Sequence, residues 1–422
     1  MPAFRAPRGT RDILPEEQHY WDYVTSVAES VCLSRGYGRI ETPIFEDSRL
    51  FLRGVGEGTD IVEKEMYIFE DRGGNSLALR PEGTASVCRA YLEHGMASLT
   101  QPVRMFYLAP AFRYERPQAG RMREHHQFGY EVIGDASALV DAEVISMSWQ
   151  FLFQLGLRRL TLKLNSIGCD KCRPGYIAAL LAYYEPLKNK LCRDCGIRME
   201  KNPLRLLDCK EDSCQQFANN APMSTDCLCE ACLNHFNSLK KFLDLAKIDY
   251  VVSHRLVRGL DYYTRTVFEI QPESKGSQST IGGGGRYDRL VEQIGGKPTP
   301  AIGFAAGIER IILNLKEQNL DIPGRPFPKV FIAHTGEEAR SEAFLASNIL
   351  LCNGIGVIVA GEGKSLKAQL RQANNLGMKI AVIIGPEELE GETVIIRDLE
   401  AGTQETIGRL SLLDSLNAFK TV

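Results

Sequence analysis

At 422 residues and 47.0 kDa the chain is too long for one small core and long enough to fold without staples, so two or three domains are expected. Its composition, 44% hydrophobic and 24% charged, is that of an ordinary folded chain and argues against disorder. With 50 Lys and Arg against 53 Asp and Glu, the formal charge of -3 excludes a global basic field, so any nucleic-acid partner must be held by local patches.

The amino terminus, MPAFRAPRGTRDILPEE, has no apolar run of the signal-peptide kind, and no later run approaches the roughly 18 residues a membrane helix needs. A cytoplasmic protein with no membrane partner is therefore expected. In a reducing compartment its 12 cysteines are not a disulfide framework, and their clustering becomes the point of interest.

Residues 21–36 read as an amphipathic helix closed by glycine, and YGRIETPIFED as a strand interrupted by Pro43. That strand is either a subunit edge or a strand ending at a turn. In FLRGVGEGTDIVEKEMYIFEDRGG, Gly54, Gly56 and Gly58 make either a hinge that orders over a ligand or a plain connecting loop. MYIFED, a turn at Gly73 and Gly74, and SLALRPEGT read as a hairpin. Glu82, Gly83 and Thr84 stand where its second strand meets the helix ASVCRAYLEHG. Thr84 is placed at the N-cap, and Glu82 and Thr84 offer acceptor oxygens of the kind an ammonium group requires.

The stretch AFRYERPQAGRMREHHQFGYE reads as strand, basic loop, strand, with strands at residues 112–115 and 126–132. Regular pairing puts Arg113, Glu115, Gln127 and Glu131 on one face. Guanidinium and carboxylate groups buried there need a counterpart, and a charged, substrate-sized ligand supplies one. The alternative is a solvated hairpin whose ion pairs hold only each other.

A helix at residues 142–155 and the strand LTLKLNSIG follow. From about 169 to about 256 the pattern is mostly helical and carries nine of the cysteines, an insertion between two halves of a sheet. LVRGLDYYTRTVFEI is a loop into a strong strand, and SQSTIGGGGRYD a strand whose glycines, Gly282 to Gly285, mark close approach by a ligand or another backbone, or a wide bulge. TPAIGFAAGIERIILNLKEQ runs from strand into helix with Arg310 near the first turn, a placement that opposes the helix dipole unless Arg310 meets an anion. Residues 321–329, with Pro323, Pro326 and Pro328, form a linker. Beyond it strand and helix alternate, which predicts a small α/β domain with a largely parallel sheet. GEGKS at residues 361–365 lacks the earlier glycine of a phosphate loop, where Ile358 stands instead, and reads as a turn into a helix with Lys364 and Lys367 free to meet RNA.

FRYE with its arginine-rich loop, and AIGFAAGIER, resemble motifs 2 and 3 of class II aminoacyl-tRNA synthetases. LRPEGT, LVRGLDYY and GGGRYD narrow the resemblance to the histidyl-tRNA synthetase family, from about Thr10 to the carboxyl terminus. The resemblance implies an α+β catalytic domain at residues 1–325, built on the antiparallel class II synthetase sheet with a helical, Cys-rich insertion at about 169–256. A C-terminal α/β anticodon-binding domain at 326–422 would follow. The helix and strand ending at Pro43 match motif 1, which implies a homodimer. The reaction implied is two-step: histidine and ATP with Mg2+ give histidyl-adenylate and pyrophosphate, then tRNA(His) takes the histidyl group.

By the family pattern Arg113 holds the α-phosphate, Arg310 the γ-phosphate, and Arg258 the carboxylate and α-phosphate. Arg258 and Arg113 are thus the catalytic pair, and Arg121 approaches ATP. Glu131 and Tyr263 match the imidazole contacts; Glu82, Thr84 and Gln127 match the ammonium side, with Gly83 and Tyr262 in the same pocket. His125 occupies a loop position where the family often has an aromatic that stacks on adenine. No catalytic metal ligand is assigned. Cys169 and Cys172, Cys192 and Cys195, and Cys229 and Cys232 form CxxC pairs, and the 19 residues between Cys172 and Cys192 suit a zinc ribbon, so a structural zinc stands against plain reduced thiols. The rival reading is a catalytically silent paralogue, the regulatory subunit of ATP phosphoribosyltransferase.

Overall fold

A computed structural model describes residues 4–56, 59–118, 120–273, 280–325 and 327–419, so Gly58 and Pro326 lie outside the described residues. The chain forms two compact units, Met1–Pro323 and Gly324–Val422. Among the described residues no helix is long and apolar enough to cross a membrane.

The first unit is built on eight strands: β1 Gly38–Arg39, β2 Val103–Phe112, β3 Glu124–Ile133, β4 Leu160–Ser166, β5 Tyr250–Val252, β6 Thr264–Pro272, β7 Gly282–Arg286 and β8 Ala301–Gly307. Their order in the sheet is β1-β2-β3-β8-β7-β6-β4-β5. The six inner strands pair antiparallel, and only the edge pairs β1·β2 and β4·β5 are parallel. Around this sheet lie α1 Gln18–Leu33, α2 Thr84–Glu93, α3 Ala138–Gln154, α4 Arg173–Tyr184, α5 Arg193–Lys201, α6 Asp212–Asn219, α7 Glu230–Leu245 and α8 Ile308–Glu317. Helices α4 to α7 make up the insertion.

Period-two alternation gives the sheet two unlike faces. Phe128, Tyr130 and Val132 of β3, Phe268 and Ile270 of β6, and Phe304 of β8 are buried in one core with residues of α1, α3 and α8. Phe268 stacks on Phe304 at 6.1 Å, and Tyr130 lies 5.2 Å from it. Each such side chain stabilises the fold by roughly 1.5–3 kcal/mol on full burial. The intervening odd-numbered residues of β3, Gln127, Gly129 and Glu131, face the other way. Beneath the sheet Asp141 of α3 accepts from the Thr266 hydroxyl (2.6 Å) and meets His235 of α7 (2.7 Å) and the Arg286 guanidinium (2.7 Å). Asp141 and Arg286 are both fully buried. Losing either partner would strand a charge at a cost of about 3–5 kcal/mol.

The strand predicted at residues 112–115 ends earlier. β2 stops at Phe112, Arg113 N–H still reaches the Arg123 carbonyl (2.8 Å), and Glu115 N–H turns back to the Arg113 carbonyl (2.7 Å). Glu115 therefore belongs to the loop and not to a strand face. The glycine run is strand β7, buried throughout. A side-chain carbon at Gly284 would coincide with the Gly303 carbonyl, so close backbone approach governs it, and the register also shifts between Gly285 and Arg286. Gly54 is buried within the helix Ser48–Val55, and Gly56, at φ 102°, is its C-cap and packs against Asp261. A three-stranded sheet, Phe45–Asp47, Ser76–Leu79 and Ile68–Glu70 with Ser76–Leu79 central, completes the unit.

The second unit holds β9 Val330–His334, β10 Val357–Val359, β11 Ile380–Ile384, β12 Thr393–Asp398 and β13 Gln404–Gly408, with helices α9 Glu337–Cys352 and α10 Leu366–Asn375. The order is β10-β9-β11-β12-β13, parallel through β11 and antiparallel beyond it. Strands β9 and β11 are buried throughout and, His334 apart, apolar, because both faces are covered. Ser365 caps α10 by accepting from Ala368 N–H, and Lys364, predicted free, donates to Gln372 (2.9 Å).

Candidate active site

The polar face of the large sheet is the floor of a cavity of about 200 Å³. Glu131 stands at its inner end, 1% exposed. Its two oxygens accept from the hydroxyls of Tyr287 (2.5 Å), Thr84 (2.7 Å) and Tyr107 (3.4 Å). Burial raises its pKa to about 8, against the lowering effect of the Tyr287 and Thr84 hydrogen bonds. Room for this group comes from glycine: a side-chain carbon at Gly303, paired with Glu131 across β3 and β8, would coincide with the carboxylate, and one at Gly83 or Gly129 would strike the Tyr107 ring.

Thr84 is not the N-cap. Gly83 holds that position, and Glu82 does the capping, with one oxygen accepting from Thr84 N–H (2.7 Å) and the other from Ala85 N–H (2.8 Å). The Thr84 hydroxyl is thereby freed to point at Glu131. Glu82 is fully buried, which raises its pKa against those same helix N–H groups. Tyr262 lies within 3.5 Å of Glu82, and its ring sits 4.8 Å from that of Tyr263. The bend that adjacent tyrosines require is present, since residues 259–262 form a bend and a turn and β6 starts only at Thr264. Gln127, Tyr262 and Tyr263 all line the cavity beside Glu131.

At the outer end four guanidinium groups, from Arg113, Arg121, Arg258 and Arg310, line the same cavity. Arg113 is held by the Pro81 carbonyl (2.9 Å), and Arg310, in the first turn of α8, by the carbonyls of Gly120 (3.1 Å) and Thr280 (2.8 Å). Carbonyls orient these groups without cancelling their charge, and among the described residues no carboxylate pairs with either. Arg121 pairs with Glu115. Arg258 pairs with Glu269, whose other oxygen accepts from Thr280 (2.9 Å) and Gln271 (2.8 Å). The Arg258 Nε is buried with no partner among the described residues. An orphaned donor amid uncompensated cations calls for an anion.

His125 lies on β3 and not in the loop expected of it. Burial, together with Arg113 and Arg310, holds its pKa down at about 3, so the ring is neutral. The Nδ1 has no partner among the described residues. Its neighbour His126 anchors the hairpin to α8: its N–H and ring both meet the Glu309 carboxylate, at 3.0 and 2.9 Å.

The residues singled out as site residues therefore line one cavity, except Gly83, which holds the N-cap position of α2 between Glu82 and Thr84. Sequence reasoning missed Tyr107 and Tyr287, the hydroxyls that fix Glu131. Tyr287 sits inside GGGRYD, and Tyr107, opposite Gly129 on the neighbouring strand, has the parity of Glu131, but neither signal separates a site tyrosine from a core one.

The cysteines pair differently from a zinc ribbon formed by Cys169/Cys172 and Cys192/Cys195. Cys169 and Cys172 meet Cys229 and Cys232, and Cys192 and Cys195 meet Cys209 and Cys214, two residues that carried no motif. The insertion's fold, which returns α7 to the start of α4, overrides spacing along the chain.

Residues 9–169 and 204–311 match the model of the histidyl-tRNA synthetase family, and residues 329–418 match an anticodon-binding domain. A histidine–tRNA ligase of Dehalococcoides mccartyi is 58% identical over 96% of this chain and 97% of its own length. One of Pelotomaculum thermopropionicum is 51% identical over 95% and 94%. The solved structure of apo S. aureus histidyl-tRNA synthetase superposes with a TM-score of 0.82 at 36% identity, covering 99% of this chain and all of that one.

Proposed function

The chain belongs to the histidyl-tRNA synthetase family, and from that premise we propose that its cavity is where L-histidine and ATP condense before the histidyl group passes to tRNA(His). The reading is supported above all by one observation: the uncompensated arginines and the buried carboxylate Glu131 share a single cavity. The chain is thus a class II aminoacyl-tRNA synthetase that charges tRNA(His), with an α+β catalytic fold and a C-terminal anticodon-binding domain.

Histidine enters with its imidazole at Glu131 and Tyr263. A carboxyl group whose pKa lies near that of imidazole can accept from one ring nitrogen or donate to it, so it matches either tautomer. The ammonium group lies toward Glu82, Thr84 and Gln127, with Gly83 and Tyr262 shaping that side. The carboxylate then lies toward Arg258. Already ionised at neutral pH, it needs no general base. An oxygen attacks the α-phosphorus, the bond to the bridging oxygen breaks, and pyrophosphate leaves with the electron pair. Positioning and charge neutralisation supply the catalysis. Arg113 and Arg258 flank the α-phosphate, Arg310 and Arg121 take the outer phosphates, and Mg2+ arrives with ATP as their counter-ion. The neutral ring of His125 is free to stack on adenine.

A homodimer is supported by exposed apolar side chains on the small sheet that follows Pro43, among them Phe45 (52% exposed) and Ile68 (51%). A cytoplasmic location fits the reaction. The ligation itself requires no thiol, so the clustered cysteines need a separate role.

Charging assays with tRNA(His) test the whole reaction. Histidine should become esterified to the tRNA in an ATP-dependent manner. Binding of histidine with neither adenylate nor charged tRNA would instead favour the silent regulatory-subunit reading.

A further inference from the structure

Eight of the twelve cysteines gather at two places in the insertion. Cys169, Cys172, Cys229 and Cys232 close the first group, and Cys192, Cys195, Cys209 and Cys214 the second, each with all four sulfurs within 4.8 Å of one another. Cys169 Sγ lies 3.9 Å from Cys172 Sγ and 3.8 Å from Cys229 Sγ, and Cys192 Sγ lies 3.8 Å from Cys209 Sγ. These separations are far too long for disulfides, whose sulfurs sit about 2.05 Å apart. They equal the edge of a tetrahedron of sulfurs at about 2.3 Å from a central ion, which is about 3.8 Å. A multi-iron cluster would push the sulfurs further apart, because they would surround a core instead of one ion.

The local backbone is that of thiolate ligands. Cys172, Cys192 and Cys229 are the N-cap residues of α4, α5 and α7. Main-chain N–H groups donate to sulfur from Cys169 to Cys172 (3.2 Å), Cys192 to Cys214 (3.2 Å) and Cys195 to Cys192 (3.4 Å). Such bonds and helix N-termini favour the deprotonated sulfur a metal requires. Cys32 and Cys88, by contrast, are fully buried and belong to neither group. We propose that the insertion holds two tetrathiolate zinc sites, and that they brace the loop carrying Arg258, Tyr262 and Tyr263.

The bracing can be followed bond by bond. Beside the first group, Arg173 of α4 donates to the carbonyls of Tyr263 (2.5 Å) and Gly168 (3.3 Å), and Gly168, next to Cys169, accepts from Arg265 N–H (2.8 Å). The second group brackets the segment from Cys195 to Cys209. From that segment Asn202 donates to Asp261 (2.6 Å), Arg205 meets Asp60 (3.3 Å) and Lys201 meets Glu63 (2.7 Å). Both groups therefore end on residues 258–263, so the bracing role, though not the metal sites, rests on the proposed histidine pocket.

Elemental analysis of the full chain purified without chelator should find two zinc ions per chain. Cys169→Ser/Cys229→Ser and Cys192→Ser/Cys209→Ser should each fall to one, while Cys32→Ser keeps two. Each single-site loss should raise the KM for histidine by about tenfold or more, by analogy with the effect of removing groups that orient a metal site. Less than one zinc per chain in the wild type, or iron in its place, overturns the sites whatever the variants do. Two zinc ions with an unchanged histidine KM after loss of either overturns the bracing role alone.

Discussion

Arg258→Ala should lower histidine-dependent ATP–pyrophosphate exchange by about 10²–10³-fold, the usual consequence of removing one donor aimed at developing charge. The reasoning rests on how Arg258 is held. Glu269 fixes one end of the guanidinium, the Tyr263 ring lies 5.9 Å beneath it, and the buried Nε is left without a partner among the described residues. A substrate carboxylate or α-phosphate is the group that would complete it. Arg258→Lys should rescue little, because an ammonium cannot reach Glu269 and an anion at once through a planar fork. The fall should appear in kcat for the exchange, with thermal unfolding of both variants compared to the wild type as a check on folding. Exchange within threefold of the wild type would mean that another residue neutralises the attacking carboxylate.

Glu131→Gln should raise the KM for histidine by about 5- to 150-fold, since an amide cannot give the ring nitrogen the carboxyl's O–H donor, and a buried hydrogen-bonding group left unsatisfied costs about 1–3 kcal/mol. The KM for ATP should stay nearly unchanged, because the arginines at the other end are untouched. The same substitution has a signature in stability. With a folded pKa of about 8 against an ordinary carboxyl value near 4.3 in the unfolded chain, Glu131 holds its proton in the folded state while the unfolded state releases it. The folded state then binds more protons through this window, so stability is greatest below the unfolded value and falls as pH rises toward 8. Glutamine does not titrate, and the variant should show a flatter decline in melting temperature between pH 5 and 8.5. Glu82, shifted upward by burial as well, leaves a residual slope. Parallel wild-type and variant curves would mean that Glu131 is ionised across the window.

The sheet was legible because its two faces obey one rule: even positions such as Phe128, Tyr130 and Val132 are apolar, odd ones such as Gln127 and Glu131 polar. The arginines were legible as charges placed where helix dipoles or burial disfavour them, as at Arg310. Local geometry was less so. Thr84 has the chemistry of an N-cap, yet a buried Glu82 two residues earlier reaches the same N–H groups and frees the Thr84 hydroxyl for Glu131. His125 falls on a strand and Glu115 off one because the hairpin's register is set by ten paired residues from Val103 to Phe112, not by the shorter stretch whose alternation stands out. Tyr287 and Tyr107 were invisible because a hydroxyl satisfied by Glu131 and a tyrosine packed in a core look alike in one dimension. The cysteine grouping was illegible for a related reason: which CxxC meets which depends on the path of α4 to α7 between them.

The central claim is that one cavity selects histidine and activates it on ATP, and ATP–pyrophosphate exchange with each of the twenty amino acids tests it most directly. Exchange with histidine alone, lowered by about 10²–10³-fold in Arg258→Ala and weakened through KM by Glu131→Gln, is the expected result. Exchange driven by a different amino acid, or undiminished in both variants, would contradict it.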